Sequence, residues 1–452
     1  MLHMTNSPMS EPESGDGDRS SVTRHSWRQY VRAIGPGLIS GACDDDPSGI
    51  ATYAQAGSQF GLSFLWTALF TFPLIAVVQE ICDRTALATG TGLGELALKR
   101  FNLTGRWIVG AILSALIVAN TLNISADLVA IGSGMNLLRA GPTWIWALLA
   151  GIAISVLVVK GSFEHLTQVF KVLAGTLVVY IVVMVSVTHD WLRILQYGVI
   201  PHIQLKKSYI SLLAALLGTT ISPYIFFWQS ANRLEEMHEE PEGGSQVEPL
   251  KRRSVRQAKF KQRTSRLDVF TGMAFSNIVM FAIIGTTGQT LHAHGITNIQ
   301  SATQIASALK PVAGSLASVI FALGFIGSGL LAIPVLAASG SIGLSGLLGK
   351  EWGFSRKIRE APLFYILVAV GTIGGTALSL LNINPISLLV FVAVINAIIS
   401  VPLLILVMII SNSRDLMGNY VNGYAANIVC GLTCVVMLVA LIALFATGGI
   451  SV

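Results

Sequence analysis

Residues 41–53 read GACDDDPSGIATY and place three consecutive aspartates, at positions 44–46, inside an otherwise apolar segment. Pro47 and Gly49 follow the aspartates almost directly. Proline has no backbone N–H and disfavours a helical conformation for the residue before it, and glycine adds backbone freedom. The sequence therefore predicts a helix that breaks within residues 44–49, with carboxylates at the break.

The composition indicates that this segment lies in a membrane. Of the 452 residues, 53% are hydrophobic and only 12% are charged, and the mean hydropathy is +0.68. A soluble domain is about 25% charged, and a helix needs roughly 20 apolar residues to cross a bilayer. Eleven segments meet that length, and they predict an all-α polytopic membrane protein: 33–57, 60–83, 107–138, 143–160, 166–187, 208–232, 268–290, 312–347, 362–382, 386–411 and 424–447.

The rest of the chain divides around these spans. Residues 1–30 are polar and lack an apolar core, which predicts a disordered tail without a cleavable signal peptide. Residues 31–411 hold the first ten spans, and residues 412–452 add one C-terminal helix. The four cysteines form no CxxC pair and are interpreted as small buried hydrophobes. Because no HExxH motif and no plausibly placed GxSxG motif occurs, the chain is not expected to be an enzyme.

Lysine and arginine are distributed unequally between the two sides of the predicted spans. If the N-terminus is cytoplasmic, 24 of the 29 basic residues face the cytoplasm. The positive-inside rule therefore predicts a cytoplasmic N-terminus and an external C-terminus, and the pattern favours a plasma (inner) membrane. The basic run 251–266, in the predicted cytoplasmic loop 235–266, is interpreted as a topology signal that contacts lipid headgroups. No nucleic-acid partner is expected.

A second break is predicted in span 6, which reads LLAALLGTTISPYIFFWQSANRLEEM. Gly218, Ser222 and Pro223 interrupt it near its middle. Paired broken helices in inverted repeats are a known arrangement for ion sites in transporters. We therefore expect inverted repeats at about 31–190 and 206–411, with spans 1 and 6 in corresponding positions.

Acids within a membrane span usually mark an ion or proton path, because a lipid-facing carboxylate costs several kcal/mol. Asp46, beside the proline, is the first candidate ligand for a cation. Asp44 and Asp45 have an alternative interpretation, as solvated charges in a water-filled vestibule or an interfacial loop. A sodium-coupled carrier of a small organic solute stays open as an alternative function, although three acids at the break would repel an anionic substrate.

Several segments resemble the Nramp family of divalent-metal transporters. GPGLISGACDDDPSGIATYAQAGSQFG resembles the first helix of that family, where the signature is Asp-Pro-Gly-Asn, and GTTISPYIFFWQS resembles the sixth, where the signature is Met-Pro-His. VVQEICDRTALATGTGLGEL and ISADLVAIGSGMNLL resemble the second and third helices. The similarity covers about residues 33–410. It implies a leucine-transporter-like fold with two inverted five-helix repeats, alternating access and a divalent metal ion as substrate.

The resemblance assigns four metal-site positions. Asp46 matches the metal-binding aspartate, and Gly49 stands where the family has its ligand Asn. Thr219 stands where a backbone carbonyl joins the site, and Ser222 replaces the ligand Met.

The resemblance also assigns positions around that site. Tyr224 and Gln229 stand where histidines are usual, and with Asp44 and Asp45 they would line the vestibule. Asp127 resembles an acid of the third helix that is implicated in proton movement, but Ala130 replaces a second acid there.

The departures from the family pattern predict a different ion preference. A methionine thioether selects soft transition metals, and Ser222 removes it. The absence of a side chain at Gly49 is expected to leave room for water, and Mg²⁺ prefers oxygen ligands and keeps several waters. The sequence therefore favours Mg²⁺, with Mn²⁺ as a second ion, and weak or absent proton coupling because the histidines are missing. A proton-coupled Mn²⁺/Fe²⁺ transporter of the ordinary Nramp type is the alternative. No cofactor is expected.

Polar residues elsewhere in the spans have two interpretations each. Gln79, Glu80, Asp83 and Arg84 form either a local ion-paired helix end or an inner vestibule that attracts cations, so Glu80 joins Asp127 as a candidate for an ion or proton path. The lone amides in spans 7 and 10, Asn277 and Asn396, are interpreted as helix–helix hydrogen-bonding groups rather than metal contacts.

Overall fold

The computed structural model describes residues 36–160, 173–239, 247–307, 314, 317–381 and 384–448, and its regular structure within these ranges is helical. The helices are α1 Pro36–Asp44, α2 Pro47–Phe60, α3 Leu65–Thr89, α4 Leu93–Arg100, α5 Leu103–Leu137, α6 Thr143–Lys160, α7 Val178–Val187, α8 Trp191–Val199, α9 Lys207–Thr220, α10 Pro223–Glu239, α11 Val255–Thr290, α12 Ala302–Ser307, α13 Ala317–Leu347, α14 Pro362–Ser379, α15 Pro385–Ser411, α16 Arg414–Met417 and α17 Tyr424–Ala446. The predicted tail 1–30 lies outside the described residues.

The all-helical membrane architecture is confirmed. Eight helical stretches of the described residues are long and apolar enough to cross a bilayer, and two shorter apolar helices, Thr143–Val158 and Gly175–Val187, accompany them. Large apolar side chains cover the outside, including Leu103, Trp107 and Leu192, which are 71%, 74% and 80% exposed. Such a surface is stable against lipid, not against water.

Both predicted breaks are present. The first separates α1 from α2 at Asp45 and Asp46, and the second separates α9 from α10 at Ile221 and Ser222. A proline occupies the first position of α2 and of α10, where its missing N–H would have no partner in any case. The prolines therefore start new helices as well as ending the previous ones.

The half-helix α1 packs directly on α11 through glycines. A Cβ added to Gly41 would lie 2.1 Å from the Gly272 carbonyl oxygen, and one added to Gly272 would lie 1.9 Å from the Gly37 carbonyl oxygen. Gly37 and Gly41 are spaced four apart on one face of α1, in the GxxxG pattern of close helix contacts. The two backbones touch, so α1 is positioned by α11 along its length.

Helix α5 occupies the other side of the breaks. It packs mainly against α13, α14, α6 and α15, and makes smaller contacts with α2. The additional C-terminal helix α17 packs against α9, α15 and α3.

Helix α11 is longer than the predicted span 268–290. It begins at Val255, so the second part of the basic run is helical. Ser254 caps this start, and its side chain and that of Gln257 form a capping box.

Candidate metal site

The three aspartates of the opening stretch point toward different helices. Asp46 contacts Asn123 of α5 and Tyr224 of α10, whereas Asp44 and Asp45 both accept from Ser276 of α11. All three carboxylates are buried, with at most 1% of each residue exposed. The triplet thus supplies two separate groups of carboxylates instead of one patch.

Asp46 is the N-cap of α2 and the best-connected acid of the break. Its Oδ1 accepts the backbone N–H of Gly49 at 2.8 Å and the hydroxyl of Ser48 at 2.6 Å. Its Oδ2 accepts the amide of Asn123 at 3.0 Å and lies 3.4 Å from the Tyr224 hydroxyl. Every hydrogen-bond donor to the Asp46 carboxylate among the described residues is therefore a hydroxyl, an amide or a backbone N–H.

The second break lies against the first. The Ser48 hydroxyl is 3.3 Å from Oγ1 of Thr219, and the Ser222 hydroxyl donates to the Thr219 backbone carbonyl. The structure thus brings together Asp46, Thr219 and Ser222. Thr219 and Ser222 bond to each other here, so an ion that used both oxygens would have to separate them.

Gly49 does not leave open space beside Asp46 and Thr219. A Cβ added there would lie 3.3 Å from Oγ1 of Thr219 and 3.3 Å from Cε2 of Tyr53. The Tyr53 and Thr219 side chains fill the volume that a side chain at position 49 would take. Water at the site therefore requires these side chains to move, which the sequence did not indicate.

Asp44 and Asp45 lie in packed interior instead of an open vestibule. Both are 0% exposed, and they share the hydroxyl of Ser276 at 3.1 and 3.3 Å. Oδ1 of Asp44 and Oδ2 of Asp45 have no hydrogen-bond partner. Helix α11, packed on α1, closes these two acids off in this arrangement.

Asp127 lies one helical turn beyond Asn123 on α5 and interacts electrostatically with Asp46. It is 0% exposed, and neither carboxylate oxygen has a hydrogen-bond partner. In the described parts of the chain, no ion pair involves Asp127 or any acid of the triplet. Around the first break, four buried carboxylates consequently have no basic side chain among the described residues to neutralise them.

The described residues contain no cluster of three or more His, Cys, Asp or Glu side chains with the geometry of a chelating metal site. A cation at the break would depend on Asp46 together with hydroxyl, carbonyl and amide oxygens and water. That donor set is typical of hard cations.

Gln229 lies away from the break, toward the end of the bundle where α1 begins. Its amide donates to Asp83 at 2.8 Å, and Asp83 also accepts from Arg233 at 2.6 Å and from Ser265. We call Asp83, Arg233 and Asp268 the Arg233 ion cluster. Gln229 is fully buried beside it, so the structure does not place this residue in an open vestibule. Tyr224, in contrast, contacts Asp46 itself.

Glu80 has local partners. It pairs with Arg84 at 3.1 Å and with Arg266 at 3.0 Å, in agreement with an ion-paired helix end. Arg84 further donates to Asn422, which ties this end of α3 to the segment before α17. Nothing in these contacts connects Glu80 to the break.

The lone amides differ from each other. Asn277 accepts from Thr71 at 2.9 Å and so joins α11 to α3, as the helix–helix interpretation predicts. Asn396 is buried and neither side-chain atom has a partner.

Sequence reasoning missed Asn123, Ser276 and Arg233. The spacing of Asn123 and Asp127, four residues apart, was the available signal that both share one face of α5. Arg233, one position beyond the predicted span 208–232, is among the basic residues that the sequence analysis interprets as a topology signal, and its buried partners on other helices were not predicted.

Comparisons with known proteins agree with this architecture. A family profile described as "Natural resistance-associated macrophage protein-like" (Nramp) matches residues 37–447. The "Divalent metal cation transporter MntH" of Deinococcus radiodurans is 25% identical over 425 residues, covering 92% of this chain and 89% of the relative. The Mycobacterium leprae protein of the same name is 25% identical over 442 residues, covering 94% and 96%.

Solved structures show the same fold. The Eremococcus coleocola manganese transporter, in complex with an aromatic bis-isothiourea substituted compound, superposes with a TM-score of 0.72 at 15% identity, covering 94% of this chain and 87% of that one. Mhp1, a nucleobase-cation-symport-1 family transporter with bromovinylhydantoin bound, gives 0.55 at 15% identity, covering 92% and 91%. The leucine-transporter-like fold is thereby confirmed. With a family profile matched over nearly its whole length, the chain belongs to the Nramp family.

Proposed function

We propose that this protein carries divalent metal cations across a membrane by alternating access, with Mg²⁺ favoured over Mn²⁺ and with weak or no proton coupling. The observation that carries the proposal is the group of buried carboxylates at the first break, Asp44, Asp45, Asp46 and Asp127, which no basic side chain of the described residues neutralises. Buried charges are retained only when they are paired or coordinate a metal, or else they take up a proton.

A divalent cation supplies the missing positive charge. Asp46 is the proposed first ligand because it stands at the break, where two helix ends and the Thr219 carbonyl converge. Thr219 and Ser222 are proposed as the opposing oxygen ligands, and Gly49 as the position that would admit the ion once the Tyr53 and Thr219 side chains move aside. Asp44 and Asp45 would draw cations toward the site when the bundle opens.

The preference for Mg²⁺ is supported by the donors around Asp46. Ser222 supplies a hydroxyl where the resembling family has a thioether, and thioethers favour softer metals. Among the described residues, the sulfur that accepts a hydrogen bond at the breaks is that of Met280, 3.7 Å from the Thr220 hydroxyl. Hydroxyls, amides and few direct carboxylates suit an ion that keeps part of its water shell.

The expectation of weak proton coupling is supported by residue types. Tyr224 and Gln229 stand where histidines are usual in the family, and histidine is the side chain best suited to exchange protons near neutral pH. The Tyr224 hydroxyl donates to the Cys43 carbonyl, and the Gln229 amide donates to Asp83.

A proton-coupled Mn²⁺/Fe²⁺ transporter is the second candidate, and one observation favours it. Asp127 is buried, unpartnered and close to Asp46, and such an acid can carry a proton. The relatives named divalent metal cation transporters and the structural neighbour named a manganese transporter are consistent with Mn²⁺ as the cargo.

We also propose the orientation in the membrane that the distribution of lysine and arginine predicts. The N-terminus and the Arg233 ion cluster would face the cytoplasm, the C-terminus would be external, and the membrane would be the plasma membrane. Residues 31–190 and 206–411 would be the two inverted repeats of the transport core.

The test is flux into liposomes that contain a pH dye, with Mg²⁺ and Mn²⁺ supplied separately. We expect saturable Mg²⁺ uptake without acidification of the lumen, and its loss in Asp46→Asn. Uptake of Mn²⁺ but not Mg²⁺, with acidification, would establish the second candidate instead.

A further inference from the structure

We propose that Asn123, on α5, is a ligand for the transported cation and supplies the amide oxygen that position 49 lacks. This inference rests on the proposed function and adds a third structural element to the site. The resemblance to the family placed ligands only on the two broken helices, and Asn123 has no part in that pattern.

The contacts of Asn123 carry the argument. It is 0% exposed, and its amide nitrogen donates to Oδ2 of Asp46 at 3.0 Å. Its own oxygen, Oδ1, is buried without a hydrogen-bond partner. A buried amide oxygen without a partner costs free energy comparable to that of a lost hydrogen bond. An ion at Asp46 would satisfy it.

The distance fits an octahedral cation. Mg²⁺ binds oxygens at about 2.0–2.1 Å, so neighbouring ligands of an octahedron lie about 2.9 Å apart. The amide of Asn123 is 3.0 Å from Oδ2 of Asp46. Rotating the amide by half a turn exchanges its nitrogen and oxygen with little change in position. Oδ1 of Asn123 and Oδ2 of Asp46 would then form one edge of the coordination octahedron.

The same rotation would let one side chain serve Asp46 both with and without a bound cation. With no cation, Asp46 is an acceptor and needs a donor, which the amide nitrogen provides. With a cation bound to Asp46, the cation needs a further oxygen ligand, which the amide oxygen provides. A carboxylate could serve only the second state and a lysine only the first, so an amide suits both states.

The position of α5 gives this ligand a mechanical role. Asp46 stands between the short helices α1 and α2, which pack mainly on α11 although α2 also touches α15, whereas α5 packs mainly on α13, α14, α6 and α15. A cation held by Asp46 and Asn123 would therefore join two differently packed groups of helices.

Binding of Mg²⁺ and of Mn²⁺ to detergent-purified protein, measured by calorimetry, tests the proposal. We compare Asn123→Leu, which removes both the donor and the oxygen, with Asn123→Asp, which keeps an oxygen ligand but lacks the amide N–H donors. Asn120→Leu is the matched control, because Asn120 lies on the same helix but donates to the Leu336 carbonyl and to Ser339. Thermal unfolding of each variant establishes that it is folded.

We expect Asn123→Leu to weaken binding roughly 10-fold or more, a typical effect of losing a group at a metal site. Asn123→Asp should bind at least as tightly as wild type, because it keeps the oxygen ligand and can add a negative charge, and Asn120→Leu should leave the affinity unchanged. Equal affinity of Asn123→Leu and wild type would overturn the proposal. So would a greater loss in Asn123→Asp than in Asn123→Leu, since Asn123 would then act only as a donor to Asp46. Absence of any binding by the wild type would contradict the proposed function itself.

Discussion

The guanidinium of Arg233 donates to Asp268 at 2.9 Å, and both side chains are at most 1% exposed. Asp268 in turn accepts the backbone N–H of Gly37 at 2.8 Å and that of Leu38 at 3.3 Å, at the first turn of α1. The Nε atom of the same guanidinium donates to Asp83 of α3. One arginine thus links the beginning of α1 to three further helices.

Arg233→Met is expected to loosen this end of the bundle. The change removes the ion pairs that Arg233 makes with the buried Asp83 and Asp268, and breaking a buried pair costs about 3–5 kcal/mol. Thermal unfolding should therefore occur at lower temperature. Cys43, buried beside the aspartates, should react faster with a maleimide added from the proposed cytoplasmic side, in protein that carries Cys82→Ser, Cys430→Ser and Cys434→Ser.

Arg266→Met is the matched control for this experiment. Arg266 also pairs with an acid of α3, at 3.0 Å from Glu80, but its side chain is 57% exposed. Exposed pairs contribute about 0–1 kcal/mol. We expect little change in unfolding or in Cys43 labelling. Equal effects of the two variants would show that burial of the Arg233 ion cluster is unimportant.

Asp46→Asn is expected to weaken cation binding while preserving the fold. Asparagine caps helices about as well as aspartate, so α2 keeps its start, but the ligand charge is lost. Cation affinity should fall roughly 10-fold or more, with almost unchanged thermal unfolding. Asp46→Ala removes the cap as well and should cost about 1 kcal/mol more stability. Retained affinity in Asp46→Asn would mean that Asp46 is a structural cap only.

Ser222→Met is expected to tighten Cd²⁺ binding and weaken Mg²⁺ binding. It adds a thioether and removes the hydroxyl that occupies the Thr219 carbonyl. Ser222→Ala frees the same carbonyl without adding sulfur, so the difference between the two variants isolates the thioether. Calorimetry with both ions measures it. Identical Cd²⁺ affinities in the two variants would indicate that residue 222 does not face the ion.

Gly41→Ala is expected to destabilise the protein by about 1–3 kcal/mol or more, because its Cβ would lie 2.1 Å from the Gly272 carbonyl oxygen. Gly110→Ala is the control, since the nearest atom to a Cβ there is 3.6 Å away. In open surroundings the same change stabilises a helix by up to about 1 kcal/mol. Thermal unfolding should therefore shift in opposite directions in the two variants.

The sequence was sufficient to predict the breaks, because Pro47 and Pro223 act locally on their own helices. It also indicated the membrane class, which depends on composition alone. The start of α11 at Val255 was readable from the capping box of Ser254 and Gln257, but hydropathy alone placed it at 268. A helical segment outside the bilayer needs no apolar residues, so hydropathy does not detect it.

The partners of the acids could not be predicted. Consecutive residues at a helix end differ in direction by about 100°, so Asp44 and Asp46 can contact different helices although they are two positions apart. Which helices these are depends on packing between segments distant in sequence. The hydrogen bond between Asn123 and Asp46 spans 77 positions, and nothing local to either residue indicates it.

Helix α11 contacts both ends of α1. Asp268 of α11 accepts a backbone N–H at the start of α1. Ser276 lies two turns, or about 12 Å, further along α11, and it donates to Asp44 and Asp45 at the end of α1. Because the single helix α11 carries both contacts, the two ends of α1 are thermodynamically linked. If a cation at the aspartates loosens the Arg233 ion cluster by some factor, then loosening the cluster must strengthen cation binding by that same factor. The affinity for cargo is accordingly a property that residues far from the cargo can set.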